Sequence, residues 1–139
     1  MANPEFDRMA INQATTMKQW NLLEAVQGYA AQNIRGISVW RDKLAECGID
    51  EAAQILSDYG MTVTGLCRGG MFPANNDEVR LAAIDENRRA IDEAAAIGAQ
   101  CLVMVCGGLP KGSKDIEEAR KQVAIGLEAI LPHALASGV

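Results

Sequence analysis

The sequence predicts an α/β fold in which short parallel strands alternate with longer helices. The first observation is that segments rich in Val, Ile and Leu alternate with longer amphipathic segments. The second is that Asn33, Gly60 and Gly98 each directly precede one of the short apolar segments. Gly or Asn at this position is the usual left-handed cap at the end of a helix. The third is that residues 101–105 (CLVMV) are apolar throughout, which is typical of a parallel strand covered on both faces.

Local patterns place each element. Strands are predicted at about residues 8–13, 35–40, 61–66 and 101–105, and helices at about residues 22–32, 51–59, 77–97 and 116–136. Each helix begins after a side chain that can accept a hydrogen bond from its free N–H groups: Asn21 (with Glu24), Asp50, Asn75 or Asn76, and Asp115. Residues 41–48 are polar and are predicted to hold a single helical turn. Pro132 lies inside the last helix and is expected to kink or break it.

Two architectures are consistent with this alternation, because both use right-handed crossovers between parallel strands. One is an open, doubly wound sheet, and the other is the N-terminal (βα)4 half of a TIM (β/α)8 barrel. Gly138 repeats the helix-end pattern, so a fifth strand is expected to begin at Val139. A complete barrel needs about 250 residues. Residues 1–139 are therefore predicted to form a partial TIM-barrel domain with strands 1–4 and their helices, and with strands 5–8 missing.

Composition excludes some function classes. The chain is 49% hydrophobic and 22% charged, with a net charge of −5, so a general nucleic-acid or anionic-membrane binder is not expected. There is no apolar run of transmembrane length and no signal-peptide pattern, which favours a cytoplasmic location. The cysteines Cys47, Cys67, Cys101 and Cys106 are predicted to be free thiols rather than a disulfide framework.

Candidate binding residues lie at or shortly after the carboxyl ends of the predicted strands, where parallel α/β folds place their sites. Trp40 and Arg41 offer a flat apolar wall beside a forked cation, which suits a sugar ring and its hydroxyls. The alternative is that Trp40 closes the barrel top and Arg41 forms a surface salt bridge. Arg68 precedes two glycines and could bind a carboxylate, a phosphate or a hydroxyl pair, or could simply be solvated in a glycine turn. Cys106 and Gly107 begin a loop whose N–H groups could form an anion-binding nest.

Other features argue against further chemistry. Gly107 and Gly112 have the spacing of a nucleotide-binding P-loop, but Ser113 and Lys114 follow in the wrong order. A metal site made of Cys67 and Cys106 alone is not expected. His133 is interpreted as structural or exposed. The acidic side chains of the helices are interpreted as solvated: Asp85, Glu86, Asp92, Glu93, Glu117 and Glu118. No predicted strand ends in a carboxylate or His, so these loops can position a ligand without supplying a metal ligand or a general base.

Five segments carry a resemblance to a known family: INQAT at 11–15, GISVWR at 36–41, GLCRGG at 65–70, NRRAIDEA at 87–94 and CLVMVCGGLP at 101–110. Over about residues 8–139 the chain resembles the N-terminal half of the sugar phosphate isomerase/epimerase family. These proteins are xylose isomerase-like TIM barrels, similar to tagatose epimerases and inosose dehydratases. The resemblance implies a sugar or sugar-phosphate isomerase or epimerase that acts through an enediolate.

The resemblance also implies a divalent metal (Mn²⁺, Mg²⁺ or Co²⁺), whose ligands and two catalytic Glu residues lie on strands five to eight. No metal ligand or catalytic residue is therefore expected within this chain, which alone would be inactive. What it implies here is a substrate-facing role for Trp40, Arg41, Arg68, Cys106 and Gly107. The expected partner is a small sugar or cyclitol, and pairing of half-barrels into a homo-oligomer is a hypothesis. Alternatives are an inosose dehydratase-like lyase and a non-catalytic carbohydrate-binding or assembly subunit.

Overall fold

The computed structural model describes residue 6 and residues 8–139. Its strands are β1 (Ala10–Asn12), β2 (Gly36–Trp40), β3 (Thr62–Gly70) and β4 (Leu102–Val105). Its helices are α1 (Leu22–Ala31), α2 (Arg41–Cys47), α3 (Ile49–Asp58), α4 (Asp77–Ala96) and α5 (Ile116–Ser137), and a 3-10 turn (Gln13–Thr15) follows β1. No helix in this described part of the chain has the length and apolar character that crossing a bilayer requires.

The four strands form one parallel sheet in the order β1-β2-β3-β4. Each new strand is added on the same side of the preceding one. A doubly wound sheet reverses its strand order, whereas a barrel continues in one direction around its axis. The predicted α/β class with parallel strands is therefore confirmed, and the order follows the barrel progression.

The predicted helix starts are largely confirmed. Asn21 and Glu24 form a reciprocal capping box at α1, and Asn76 and Asp115 cap α4 and α5 with their side chains. The predicted cap at Asp50 is wrong, because α3 begins at Ile49, two residues before its predicted start at residue 51, and Asp50 lies in its first turn.

The segment between β2 and α3 also differs from its prediction. It holds the seven-residue helix α2 and not a single turn. Gly48 joins α2 to α3 with a φ of 89°, a conformation that costs glycine little, so the chain changes direction within one residue.

The expected break at Pro132 does not occur, since α5 continues from Ile116 to Ser137. A proline in a helix leaves the carbonyl four residues earlier without its donor. That carbonyl belongs to Glu128, and both Glu128 and Pro132 are exposed, so water can replace the missing hydrogen bond. The helix ends at Gly138, which has the left-handed conformation predicted for it.

Strand β3 is longer than predicted, because residues 67–70 belong to it and not to the following loop. Gly69 pairs with Met104 and Gly70 with Val105, and the register shifts between Cys67 and Gly69. A Cβ at Gly69 would overlap the side chain of Asn87, and one at Gly70 would overlap the backbone of Val105. Glycine is needed at both positions because neighbouring groups pack closely against the strand. In the sequence, two consecutive glycines look the same whether they serve close packing or a turn, and for this reason the strand was predicted to end too early.

The main core lies between the sheet and the helices. It is formed by fully or almost fully buried apolar side chains, among them Leu22, Val26, Ile37, Val39, Leu44 and Leu66. Side chains of β4 alternate: Leu102 and Met104 pack against the helix layer, whereas Val103 and Val105 are 39% and 40% exposed. The expectation that this strand is covered on both faces is thus not met by the described residues, because no element lies over Val103 and Val105.

Candidate functional site

A cleft of about 290 Å³ opens at the carboxyl ends of β2 and β3. It is lined by the last residues of these two strands and by residues of α2 and α4, including Trp40, Arg41, Asp42, Arg68, Met71 and Glu86. Three of the residues predicted from the sequence to face a substrate are therefore brought together here. The cleft lies where parallel α/β folds place their ligands.

Trp40 is held in a fixed orientation by the end of β1. Its indole Nε1 donates to Asn12 Oδ1 at 2.6 Å, and its backbone N donates to Gln13 Oε1 at 3.1 Å. The same Asn12 Oδ1 accepts a hydrogen bond from Ala14 N at 3.0 Å. The indole is thus tethered at its polar edge, and the residue lines the cleft.

Sequence reasoning missed the role of Gln13, which is completely buried. Its Oε1 binds Trp40, whereas its Nε2 is buried without a hydrogen-bond partner among the described residues. Buried amide donors are usually paired. A polar residue at the end of a predicted strand was the signal that the sequence offered, and it did not distinguish Gln13 from its neighbours.

Arg41 is held by two carboxylates of α4. Its Nε and Nη2 donate to Glu93 at 2.5 and 2.7 Å, and Nη2 also donates to Glu86 at 2.8 Å. The hydrogen bonds to Glu93, followed by those to Glu86, raise the pKa of Arg41 above its ordinary value, although burial opposes this. The interpretation of Glu86 and Glu93 as solvated residues is wrong, because α4 turns both toward the start of α2.

Glu86 is shared between two arginines. Its Oε2 accepts hydrogen bonds from Arg89, and its Oε1 accepts from Arg41. The bond from Arg89, and then that from Arg41, lowers the pKa of Glu86 below its ordinary value of 4.5. This carboxylate is therefore held in its charged form, which is the form that stabilises Arg41.

Arg68 lies on the bulge of β3 and is exposed. Its Nη1 contacts Met71 Sδ at 3.3 Å, and it forms no ion pair with any residue in the described part of the chain. Most of its donors are therefore available to a ligand, unlike those of Arg41. The peptide bond that joins it to Cys67 is cis.

Cys106 and Gly107 lie in a neighbouring cleft, not in that of Trp40 and Arg68. This second cleft, of about 440 Å³, lies between the loop after β4 and α5, and its lining is mainly apolar: Pro73, Leu109, Ile116 and Val123 are among its residues. The backbone carbonyl of Cys106 accepts a hydrogen bond from Phe72 N at 3.1 Å, which fixes the start of the loop.

The remaining titratable groups show no metal centre. No three residues of the types His, Cys, Asp and Glu lie close enough to bind one ion within residues 8–139 and residue 6. The cysteines are free thiols in the structure, as predicted. Burial raises the pKa of the Cys67 thiol, and the charge of Arg68 opposes that effect. His133 Nε2 lies 2.7 Å from Asp92 Oδ1 and joins α5 to α4, away from the cleft.

Comparison with known proteins gives a family match. A family model described as xylose isomerase-like TIM barrel matches residues 23–139. A protein from Sinorhizobium meliloti 1021, solved by crystallography, is 50% identical over 96% of this chain, with a TM-score of 0.94. Curated proteins give no match.

Two more distant structures share the fold. The 3-keto-D-glucoside 4-epimerase of E. coli is 21% identical over 86% of this chain, with a TM-score of 0.70. The IolI protein, solved with a bound zinc atom, is 18% identical over 94% of this chain, with a TM-score of 0.79. These alignments cover 49%, 49% and 48% of the S. meliloti, E. coli and IolI chains, so this chain spans about half the length of the structures that it matches.

Proposed function

The chain belongs to the xylose isomerase-like TIM barrel family, and we propose that it supplies the N-terminal, substrate-positioning half of a sugar isomerase or epimerase barrel. The observation that carries this proposal is the cleft formed by Trp40 and Arg68 at the carboxyl ends of β2 and β3. A sugar has an apolar C–H face and a rim of hydroxyls. The indole of Trp40 can pack against the C–H face, and the guanidinium of Arg68 can donate hydrogen bonds to the hydroxyls.

Each residue of the cleft has a distinct task in this proposal. Trp40, anchored through Asn12 and Gln13, stacks on the C–H face of the sugar. Arg68 donates to two neighbouring hydroxyl or carbonyl oxygens, since its guanidinium is not engaged by a carboxylate among the described residues. Arg41 holds α2 against α4 through Glu93 and so supports the wall that carries Trp40.

The reaction that we propose moves a proton beside a carbonyl group. A base removes the proton from the hydroxyl-bearing carbon next to the carbonyl, which leaves an enediolate, or an enediol where the former carbonyl oxygen takes up a proton. Protonation of the former carbonyl carbon, with loss of the proton from the neighbouring hydroxyl, yields the isomer. Protonation of the original carbon on its opposite face, with the original carbonyl re-formed, yields the epimer. Holding the sugar in a single orientation contributes to the rate, because the reacting carbon must lie within reach of the base.

A divalent metal would polarise the carbonyl in such a reaction. The described residues do not fit a metal ion, because no three suitable side chains lie together. We therefore assign the metal ligands and the proton-transferring groups to the rest of the barrel, and assign to this chain only binding and orientation.

Solvent exchange tests the proposal. The full-length native polypeptide is incubated in D₂O with a panel of ketoses, aldoses and 3-keto sugars, with added Mn²⁺, Mg²⁺ or Co²⁺, and followed by NMR. Proton transfer predicts deuterium at the carbon beside the carbonyl together with a new epimer or isomer. No exchange with any sugar and metal would contradict the proposal.

Two alternatives give different results in the same experiment. A lyase of the inosose dehydratase type would release water from the substrate. Its product would contain one more C=C or C=O group than the substrate, and this group would give new carbon signals in the NMR spectrum. A non-catalytic carbohydrate-binding subunit would bind sugars without exchange. The observation that favours the non-catalytic carbohydrate-binding subunit is the lack of a metal-ligating cluster in the described residues.

A further inference from the structure

We infer that the site takes a neutral sugar or cyclitol and discriminates against its phosphorylated or acidic forms. The inference deepens the proposed function and rests on it. It depends on the charges that surround the carboxyl ends of the strands.

In a parallel sheet, the first helix after each strand begins near the carboxyl end of that strand. These helices are α1, α2, α4 and α5. A helix N-terminus is a ready-made anion site, because its free N–H groups and its dipole both favour negative charge. Here each of these helices carries acidic residues in its first turn: Glu24 in α1, Asp42 in α2, Asp77 and Glu78 in α4, and Glu117 and Glu118 in α5.

Side-chain caps occupy N–H groups at the start of three of these helices, whereas α2, whose first residues line the cleft, has no side-chain cap and carries Asp42 in its first turn. Asn21 Oδ1 accepts from Glu24 N, Asn76 Oδ1 from Val79 N, and Asp115 Oδ1 from Glu118 N. A carboxylate stands at each of these three starts: Glu24 at α1, Asp77 and Glu78 at α4, and the capping Asp115 itself at α5. An incoming anion would therefore meet repulsion as well as occupied donors.

Within the cleft, the positive charge of Arg41 is already balanced. Its Nε and Nη2 donate to Glu93, and Nη2 donates also to Glu86. Asp42 lines the same cleft. Arg68 is then the one arginine of the cleft without a carboxylate partner among the described residues. A single arginine beside Asp42 and Glu86 suits hydroxyl and carbonyl oxygens, whereas phosphate sites combine several cations or free N–H groups.

Lys111 and Lys114 are the exposed cations of the loop between β4 and α5. They lie within a few residues of Asp115, Glu117 and Glu118, and neither lines the cleft of Trp40 and Arg68. Their charge therefore does not make the cleft an anion site.

The test compares matched ligands on the full-length native protein. Binding and turnover are measured for a ketose, its 1-phosphate and its 6-phosphate. We expect the neutral sugar to bind at least about tenfold more tightly than either phosphate. Equal or tighter binding of a phosphate, with turnover, would overturn this inference and leave the proposed function intact. Binding and turnover of none of them would overturn both.

A charge variant separates electrostatic exclusion from a simple size effect. Asp42→Asn removes one negative charge from the cleft with little change in shape, and it is expected to improve phosphate binding about threefold at low salt. Asp58→Asn is the matched control, because Asp58 lies at the C-terminal end of α3, at the opposite end of the sheet, where Gln54 Nε2 donates to it at 2.6 Å. An unchanged preference in Asp42→Asn, or an equal change in Asp58→Asn, would count against the electrostatic explanation.

Salt gives an independent readout. The Debye length falls from about 30 Å at 0.01 M to about 3 Å at 1 M ionic strength. Affinity for the neutral sugar is expected to stay constant over this range, while that for the phosphate rises as the repulsion is screened. A phosphate affinity that falls with salt would show attraction instead, and the inference would be wrong.

Discussion

Asn87 of α4 pairs with both backbone groups of Gly70 at the end of β3. Its Oδ1 accepts from Gly70 N at 2.6 Å, and its Nδ2 donates to Gly70 O at 2.8 Å and to Ala83 O at 2.8 Å. The amide thus takes the place of a neighbouring strand, and it is 2% exposed. Because Gly70 follows the bulge that carries Arg68, this pairing fixes the floor of the cleft.

We expect Asn87→Ala to lower the free energy of unfolding by about 3 kcal/mol, because the N–H and C=O of Gly70 would be left unpaired and buried. Urea denaturation measures it. Asn75→Ala is the control, since Asn75 makes one exposed hydrogen bond, to Lys111 O at 3.2 Å. If Asn87→Ala and Asn75→Ala lowered the free energy of unfolding by similar amounts, the pairing of Asn87 with Gly70 would contribute no more than an exposed hydrogen bond.

Gly126 of α5 lies directly against the ring of Phe72, and a Cβ there would overlap that ring. Glycine to alanine inside an exposed helix stabilises by about 1 kcal/mol. For Gly126→Ala we expect the opposite effect: overpacking should lower the free energy of unfolding by about 1–3 kcal/mol. Gly108→Ala has no atom within 4 Å of the new Cβ and should change the melting temperature little. A stabilised Gly126→Ala variant would contradict the packing.

Arg68→Ala is expected to weaken sugar binding strongly with little loss of stability, because the side chain is exposed and forms no ion pair among the described residues. Isothermal titration and thermal denaturation give the two quantities. The control is Arg120→Ala, whose partner Glu117 lies on the same exposed face of α5. A large drop in melting temperature with unchanged sugar affinity would refute the assigned role of Arg68.

Glu86 predicts a specific dependence of stability on pH. Hydrogen bonds from Arg89 and then Arg41 lower its pKa in the folded state below the ordinary value of 4.5. A group of this kind stabilises the fold above its unfolded pKa, and the contribution disappears as the pH falls through the lower, folded pKa. The stability difference between the wild type and Glu86→Gln should therefore be full at neutral pH and shrink below pH 4.5. A difference that stays constant down to acid pH would exclude the ion pairs as its source.

Cys67 should react more slowly with iodoacetamide than Cys106. Cys67 is buried and its thiol pKa is raised by that burial, whereas Cys106 is exposed. Since the thiolate is the reactive form, both effects slow Cys67. Mass spectrometry of partially labelled protein gives the order, and the rates should become similar in urea. Faster labelling of Cys67 in the folded state would contradict the burial.

Local patterns in the sequence were sufficient for most of the architecture. The capping box of Asn21 and Glu24 and the caps at Asn76 and Asp115 are determined by neighbouring residues along the chain. The sequence predicts them, except that it leaves Asn75 and Asn76 as alternatives at α4, between which the structure selects Asn76. The two glycines of β3 were misinterpreted as a turn. Their reason lies in Asn87 and Val105, which are distant along the chain.

The sequence by itself determined the alternation of strands and helices, because capping and apolar periodicity act over a few residues. It also placed Trp40, Arg41 and Arg68 near the carboxyl ends of their strands. Only the tertiary structure decided that Arg41 is bound by Glu86 and Glu93 while Arg68 stays without a carboxylate among the described residues. Which arginine meets which carboxylate depends on how α4 packs beside α2. That packing brings together residues 45–52 positions apart in the chain, a relationship that no local pattern contains.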